Sequence, residues 1–191
     1  MVTARTTGTA TARDLLALGD RAAEVIDGHV VDKAAPGPEH GDAQLGIGAA
    51  LAPFRRPGKG GGEPGGWWIM AEVEVHYEEH QVFRHDLVGW RRERSPVRPQ
   101  GRPVVLRPDW ACEVLSPSNT TNDTVRKFRV LHAHGVPHYW LVDPDRKLLT
   151  VYRYSADGYI SLQIAEDGER IRAEPFDAVE LDLGLLFDDG K

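Results

Sequence analysis

RPDWACEVLSPSNTTNDTVRKFRVLHAHGVPHYWLVDPDRKLLTVYRY, residues 107–154, contains three short apolar runs, WACEVLS, HYWLV and LLTVYRY, with a helical stretch between the first two. Runs of this length, rich in aromatic and β-branched residues, suit strands on a pleated, half-buried surface. Between them, NTTNDTVRKFRVLHAHG sets Val125, Phe128 and Leu131 on one stripe and offers Asn122 or Asp123 as N-cap. Gly135 closes the stretch, where a left-handed cap is expected. Strand, helix, strand predicts a βαβ-like element, and PDRK turns the chain into a hairpin.

Upstream, WWIMAEVEVHY alternates, which puts Ile69, Ala71, Val73 and Val75 on one face and Met70, Glu72 and Glu74 on the other. VFRHDLVGW is a further strand, and YISLQIA, after LLTVYRY, is the last of six. EVIDGHVV reads as two strand pieces about Asp27-Gly28, a dipeptide suited to the positive φ angles of a hairpin turn. Thr11–Glu24 fits a short helix, and a second is expected over Leu45, Ile47, Ala49, Leu51 and Phe54, with APGPEHGD interrupting regular structure before it. Residues 56–66, RPGKGGGEPGG, are expected to be an exposed loop. The plan is α/β, a mainly antiparallel sheet with helices and hairpin extensions.

A chain of 191 residues with 41% hydrophobic and 27% charged residues is expected to form one domain, residues 1–191, with residues 1–8 flexible. No apolar run approaches the roughly 20 residues that span a bilayer, and the start lacks the apolar core of a secretory signal, so a cytoplasmic address without membrane is expected. The lone Cys112, inside WACEVL, is expected to be a small buried core residue. The net charge of −6 argues against generic nucleic-acid binding. Basic residues nevertheless gather at Arg55, Arg56 and Lys59 and again from Arg91 to Arg107, leaving room for a local basic surface.

Two carboxylates stand inside strands: Asp86 in DLVGW and Glu113 in WACEVLS, the latter sharing its face with Ala111 and Leu115. Charged carboxylates in core strands cost several kcal/mol unless paired or bound to a cation. Should neighbouring strands bring them together, they form an oxygen site suited to Mg²⁺ and to phosphodiester hydrolysis, with Lys127 on the following helix steadying charge on the phosphate. The bland alternatives are solvent-facing acids and a surface i,i+4 pair between Asp123 and Lys127. His132, His134 and His138 are not spaced to share a zinc ion, Ser116 and Ser118 are expected to shape a turn, and the five tryptophans are expected in the core or a dimer interface.

The stretch 107–154, with RHDLVGWRRERSP, EVIDGHVV, PGPEHG and GWWIMAEVEV, resembles the Uma-type family of putative restriction endonucleases, a bacterial group, over nearly the whole chain. The resemblance implies the restriction-endonuclease-like PD-(D/E)XK fold, a mixed β-sheet flanked by helices, and a Mg²⁺-dependent endonuclease, with Mn²⁺ as substitute, that cuts DNA as a homodimer. It makes Asp86 the first metal-binding acid, Glu113 the second, the Val114 carbonyl a further ligand and Lys127 the catalytic lysine, since Leu115 stands at the usual lysine position. Glu74 and then His40 are further candidates. His85 stands where the family often has proline. The alternatives are an inactive nuclease-fold interaction protein and a hydrolase of small phosphodiesters or nucleotides.

Overall fold

The computed structural model describes residues 8–58, 64–116 and 120–187. Helix α1 (Ala12–Ala17) precedes the hairpin of β1 (Ala23–Ile26) and β2 (His29–Asp32), and α2 (Pro38–Ala50) runs into a 3₁₀ turn, Ala52–Arg55. The long strands β3 (Trp67–Glu78) and β4 (Gln81–Arg91) follow, then β5 (Trp110–Val114). A π-helical turn, Asn122–Lys127, leads into α3 (Phe128–Ala133), and β6 (His138–Asp143), β7 (Leu148–Ser155) and β8 (Gly158–Glu166) complete the main sheet. A short β9/β10 pair (Arg170–Ile171, Leu181–Asp182) and α4 (Leu183–Leu186) end the described chain.

The six expected strands and the Asp27-Gly28 hairpin are present, with φ of 52° and 72° at the two turn residues. β5 and β6 are parallel, and every other pairing of the sheet is antiparallel. The helices differ from expectation. α1 ends at Ala17, and Ala23–Ile26, buried at all four positions, is strand. α2 begins at Pro38 rather than after APGPEHGD, because proline is tolerated in the first turn, where its missing N–H has no partner to lose. Of the expected loop at 56–66, residues 59–63 lie outside the described residues, as do 1–7 of the expected flexible start; Gly8 donates to the Asp27 carbonyl.

One face of the sheet packs against α2, the 3₁₀ turn and the C-terminal segment. Phe176 sits there with its ring 4.8 Å from Trp67, 5.0 Å from Trp110 and 5.6 Å from Trp140. Those tryptophans and Trp90 are buried core residues, and Cys112 is buried beside them as expected. The other face packs under α3 and its neighbours.

The alternation expected for β3 breaks at one residue. Ile69 belongs to the α2 face, whereas Val73 and Val75 join Trp68 and Met70 on the opposite face, and Ala71 is exposed. Glu72 lies between, at φ 56°, a left-handed conformation that reverses which face the following residues present.

β4 is the strand that creates the site. β3 pairs along the whole of one edge, from Trp67↔Arg91 to Glu78↔Gln81. On the other edge β5 pairs only at Leu87–Gly89 and β1 only at Val82, so the strands fork between them. A fork leaves backbone groups of Phe83–Asp86 without a neighbouring strand, and buried groups of that kind need other partners.

Candidate active site in the strand fork

Side chains take the place of the missing strand. The Arg84 N–H donates to Glu24 Oε1 of β1 at 2.7 Å, and the Val114 N–H of β5 donates to Asp86 Oδ2 at 2.7 Å. Glu113 stands between them and Lys127 reaches in from the helix, its Nζ 2.7 Å from Glu24 Oε1, 3.0 Å from Asp123 Oδ1 and 3.2 Å from Glu113 Oε1. On the other side of Asp86, Lys33 Nζ lies 2.6 Å from Oδ1 and 2.8 Å from the Arg84 carbonyl, and His40 Nε2 is 3.4 Å from the same Oδ1. All four carboxyls and Lys127 are almost fully withdrawn from solvent.

The π turn explains why Lys127 faces inward. Its wider turn shifts the stripe expected from the sequence, so Val125 is 38% exposed while Asp123 and Lys127 are buried. The Asp123–Lys127 pair is therefore an interior contact rather than a surface one.

Electrostatics divides the four acids. Burial raises the Glu113 carboxyl to about 8; Lys127 opposes the rise and Asp86 adds to it. Burial likewise raises Asp123 to about 8 against the pull of Lys127. Asp86 would also rise on burial, but its contacts with His40 and Lys33 hold it well below the usual carboxylate range. Burial works against the Lys127 charge, yet Asp123, Glu113 and Glu24 keep it protonated to well above the ordinary lysine value. His85, buried and facing Lys127, is lowered to about 3 and is neutral. A neutral imidazole donates from one nitrogen and accepts at the other. His85 can thus link Glu113 Oε1, 2.5 Å from Nδ1, to the Tyr77 hydroxyl, 2.8 Å from Nε2.

Asp86, Glu113 and Lys127, which the sequence singled out, belong to this one cluster. Glu74 does not: its carboxylate is held by Arg102 at 3.0 Å, away from the fork. Glu72 is the acid of β3 that faces the site, 3.8 Å from Lys33 and bonded to Gln44 and Arg84. His40 does reach Asp86. Glu24 and Lys33 were missed; Glu24 carried the same signal as Asp86, an acid inside an apolar strand, while Lys33 carried none. The three histidines considered for zinc are dispersed, with His132 Nε2 on the Ser155 carbonyl and His134 and His138 beside Glu78 and Glu174. Ser118 lies outside the described residues.

Chemically, the fork holds four carboxyls against two ammoniums, an excess of two negative charges if all are ionised. Two protons or one divalent cation would balance it. Carboxylate oxygens are the donor type that Mg²⁺ prefers, so the donor chemistry of Asp86 and Glu113 fits. As the side chains stand, however, no group of three His, Cys, Asp or Glu among the described residues is arranged to hold a metal ion. At Asp86 the Lys33 ammonium, 2.6 Å from Oδ1, takes the place an ion would need.

No helix among the described residues is long and apolar enough to cross a membrane. No curated protein matches the chain. Among solved structures, the fold is similar to that of a putative nuclease belonging to DUF820 from Anabaena variabilis ATCC 29413, with a TM-score of 0.75 and 21% identity over 93% of this chain and 97% of the other. The mixed sheet flanked by helices that the sequence predicted is thus shared with that protein. The model of the Uma2 family, described as putative restriction endonuclease, matches residues 12–184, and the chain belongs to that family.

Proposed function

We propose that the protein is a Mg²⁺-dependent endonuclease that hydrolyses DNA phosphodiester bonds at the fork between β1, β4 and β5. The observation that carries the reading is the convergence of Asp86 and Glu113 with Lys127, whose Nζ lies 3.2 Å from Glu113 Oε1. Asp86, Glu113 and the Val114 carbonyl would hold the ion, with Mn²⁺ as a substitute. A bound divalent cation supplies Lewis acidity toward a phosphoryl oxygen and acidifies a water. The chain's own residues do the rest. Val114 N–H fixes one Asp86 oxygen, and His85 fixes Glu113. Lys127 supplies positive charge beside the place where charge develops on the phosphate. Lys33 must leave Asp86 Oδ1 for an ion to enter, and the freed ammonium is then available to a phosphate.

The test is binding of Mg²⁺ or Mn²⁺ by calorimetry and plasmid cleavage by the native chain and by Asp86→Ala and Glu113→Gln. The native chain is expected to bind the ion and cut; both variants should lose cleavage. Cleavage unchanged in either variant would remove that residue from the chemistry. We also propose that the chain acts as a homodimer, and a monomeric mass by light scattering with DNA present would contradict that.

A second reading has one observation in its favour. Lys33 at 2.6 Å from Asp86 Oδ1 stands where an ion would have to enter, which suits a protein that keeps the nuclease fold for interaction and lacks catalysis. No metal binding in either the native chain or Lys33→Met would favour it. Hydrolysis of small phosphodiesters without cleavage of DNA would favour the remaining alternative.

A further inference from the structure

We propose that the groove between α2 and the bent part of β3 is a channel for a single nucleic-acid strand, leading it to the Asp86 end of the fork. The inference rests on the reading of the fork as a phosphodiesterase and adds the form in which the substrate arrives. The groove encloses about 740 Å³. Gly41, Gln44, Leu45 and Gly48 of α2 form one wall, Met70 and Ala71 belong to the other, and Arg55 and Arg98 contribute its positive charge.

Three observations point to a polyanion. First, in a chain with 29 acidic and 23 basic residues, the groove is lined by two arginines and by no acid among the described residues. Second, these two arginines are uncommitted. Arg94 and Arg107 are drawn to Asp109 and Arg102 to Glu74, whereas Arg55 and Arg98 have no carboxylate partner among the described residues. Arg98 instead lays its Nε 3.4 Å from the Met70 sulfur, at the groove wall. Third, the groove connects to the chemistry. Gln44, part of its wall, donates to the Asp86 carbonyl at 2.8 Å and to Glu72 at 3.1 Å.

The wall shape fits the same occupant. Gly41 and Gly48 lie inside α2, where glycine weakens a helix relative to alanine, yet a Cβ at either would meet nothing within 4 Å. Internal packing therefore does not demand them, while a strand lying close against the helix would use the room. Leu45, 72% exposed, and Met70 offer apolar surface on which bases of any sequence can rest. The volume, about 740 Å³, falls within the roughly 300–1,000 Å³ of small-ligand clefts, the scale of a few nucleotides of one strand.

The experiment measures fluorescence anisotropy of a fluorescein-labelled oligothymidylate with the native chain in EDTA, against a labelled duplex of equal length. The native chain is expected to bind the strand roughly tenfold more tightly than the duplex. In Arg55→Gln/Arg98→Gln the log–log salt slope should fall by about 1.4, since each lost phosphate contact removes roughly 0.7 for a single strand. Gly48→Leu, which fills the channel, should weaken strand binding roughly tenfold; where it fails to fold, the arginine pair decides. Native-like binding and slope in the arginine variant, equal affinity for the duplex, or no binding of the strand by the native chain would each overturn the channel. Groove-dependent binding without cleavage in Mg²⁺ or Mn²⁺ would retain the channel and sink the nuclease reading. Cleavage by a chain whose binding ignores the groove would do the reverse.

Discussion

His85 Nδ1 lies 2.5 Å from Glu113 Oε1, and its Nε2 lies 2.8 Å from the Tyr77 hydroxyl, so one buried ring spans the distance between a candidate catalytic acid and the core. A proline at this position could make neither contact. Replacing His85 with alanine leaves Glu113 and Tyr77 each short of a partner in a place without solvent. The expected loss is about 2 kcal/mol, or roughly 4–8 °C in Tm for a chain of this size. A thermal midpoint within a degree of native would show that the ring contributes nothing.

Lys127→Met is expected to be the most damaging single change in the fork. It removes the cation shared by Glu24, Glu113 and Asp123 and should cost about 3–5 kcal/mol, the range for breaking a buried ion pair. Measured by urea unfolding, the same substitution in a Glu113→Gln/Asp123→Asn background should cost at least ~1 kcal/mol less, since contacting residues couple. Equal losses in the two backgrounds would mean that the ammonium does not hold the acids.

Stability should fall as the solution becomes more alkaline through neutrality. Glu113 and Asp123 rise from ordinary values of 4.5 and 3.8 to about 8 in the fold. Over that window the folded chain keeps protons that the unfolded chain releases, so their contribution is full below the ordinary values and lost as pH rises through about 8. Asp86 and His85 have the opposite sign: Asp86, held below 3.8, ceases to stabilise as pH drops below that value, and His85, lowered from 6.5 to about 3, subtracts part of the gain below 6.5. The urea midpoint is expected to be higher near pH 5.5 than near pH 8.5, with Mg²⁺ narrowing the gap by replacing the lost protons. A midpoint that climbs steadily across this range would contradict the assignment.

Lys33→Met should tighten Mg²⁺ binding, because it removes the ammonium that occupies Asp86 Oδ1. Calorimetry near pH 8 is expected to show an affinity roughly tenfold above native, equivalent to about 1.4 kcal/mol. Weaker binding would instead make Lys33 a support of the site.

Glu72 offers a test of backbone strain. At φ 56° a non-glycine residue is disfavoured by roughly 1–2 kcal/mol. Glu72→Gly and Glu72→Ala lose the same contacts with Arg84 and Gln44, so the glycine variant should be the more stable by about 1 kcal/mol. Equal stabilities would indicate that the strand straightens.

Much of this arrangement was legible in the residues. Asp86 and Glu113 announced themselves because acids inside apolar strands need partners, and the β5–α3–β6 order followed from the change of period around residues 120–135. Glu74 was a candidate through the family resemblance, and strict alternation put it on one face with Glu72; a single residue in the left-handed region reverses the faces between them, and no sequence period records that. The exposure of Val125 escaped for a similar reason, since an α-helical stripe buries it where the π turn does not. Lys33 follows a strand on the surface and acquires its role only from a fork made by residues far away in the chain.

Glu113 and Lys127 come from successive elements of one strand–helix–strand unit, whereas Glu24, Lys33 and Asp86 are contributed by the preceding half of the sequence. Short loops close with less entropy loss than long ones, so the first two can meet early in folding and the others only after β4 has docked. Maturation of the charged interior is thereby divided in time, and a chain interrupted before docking would hold an acid–ammonium pair still open to water.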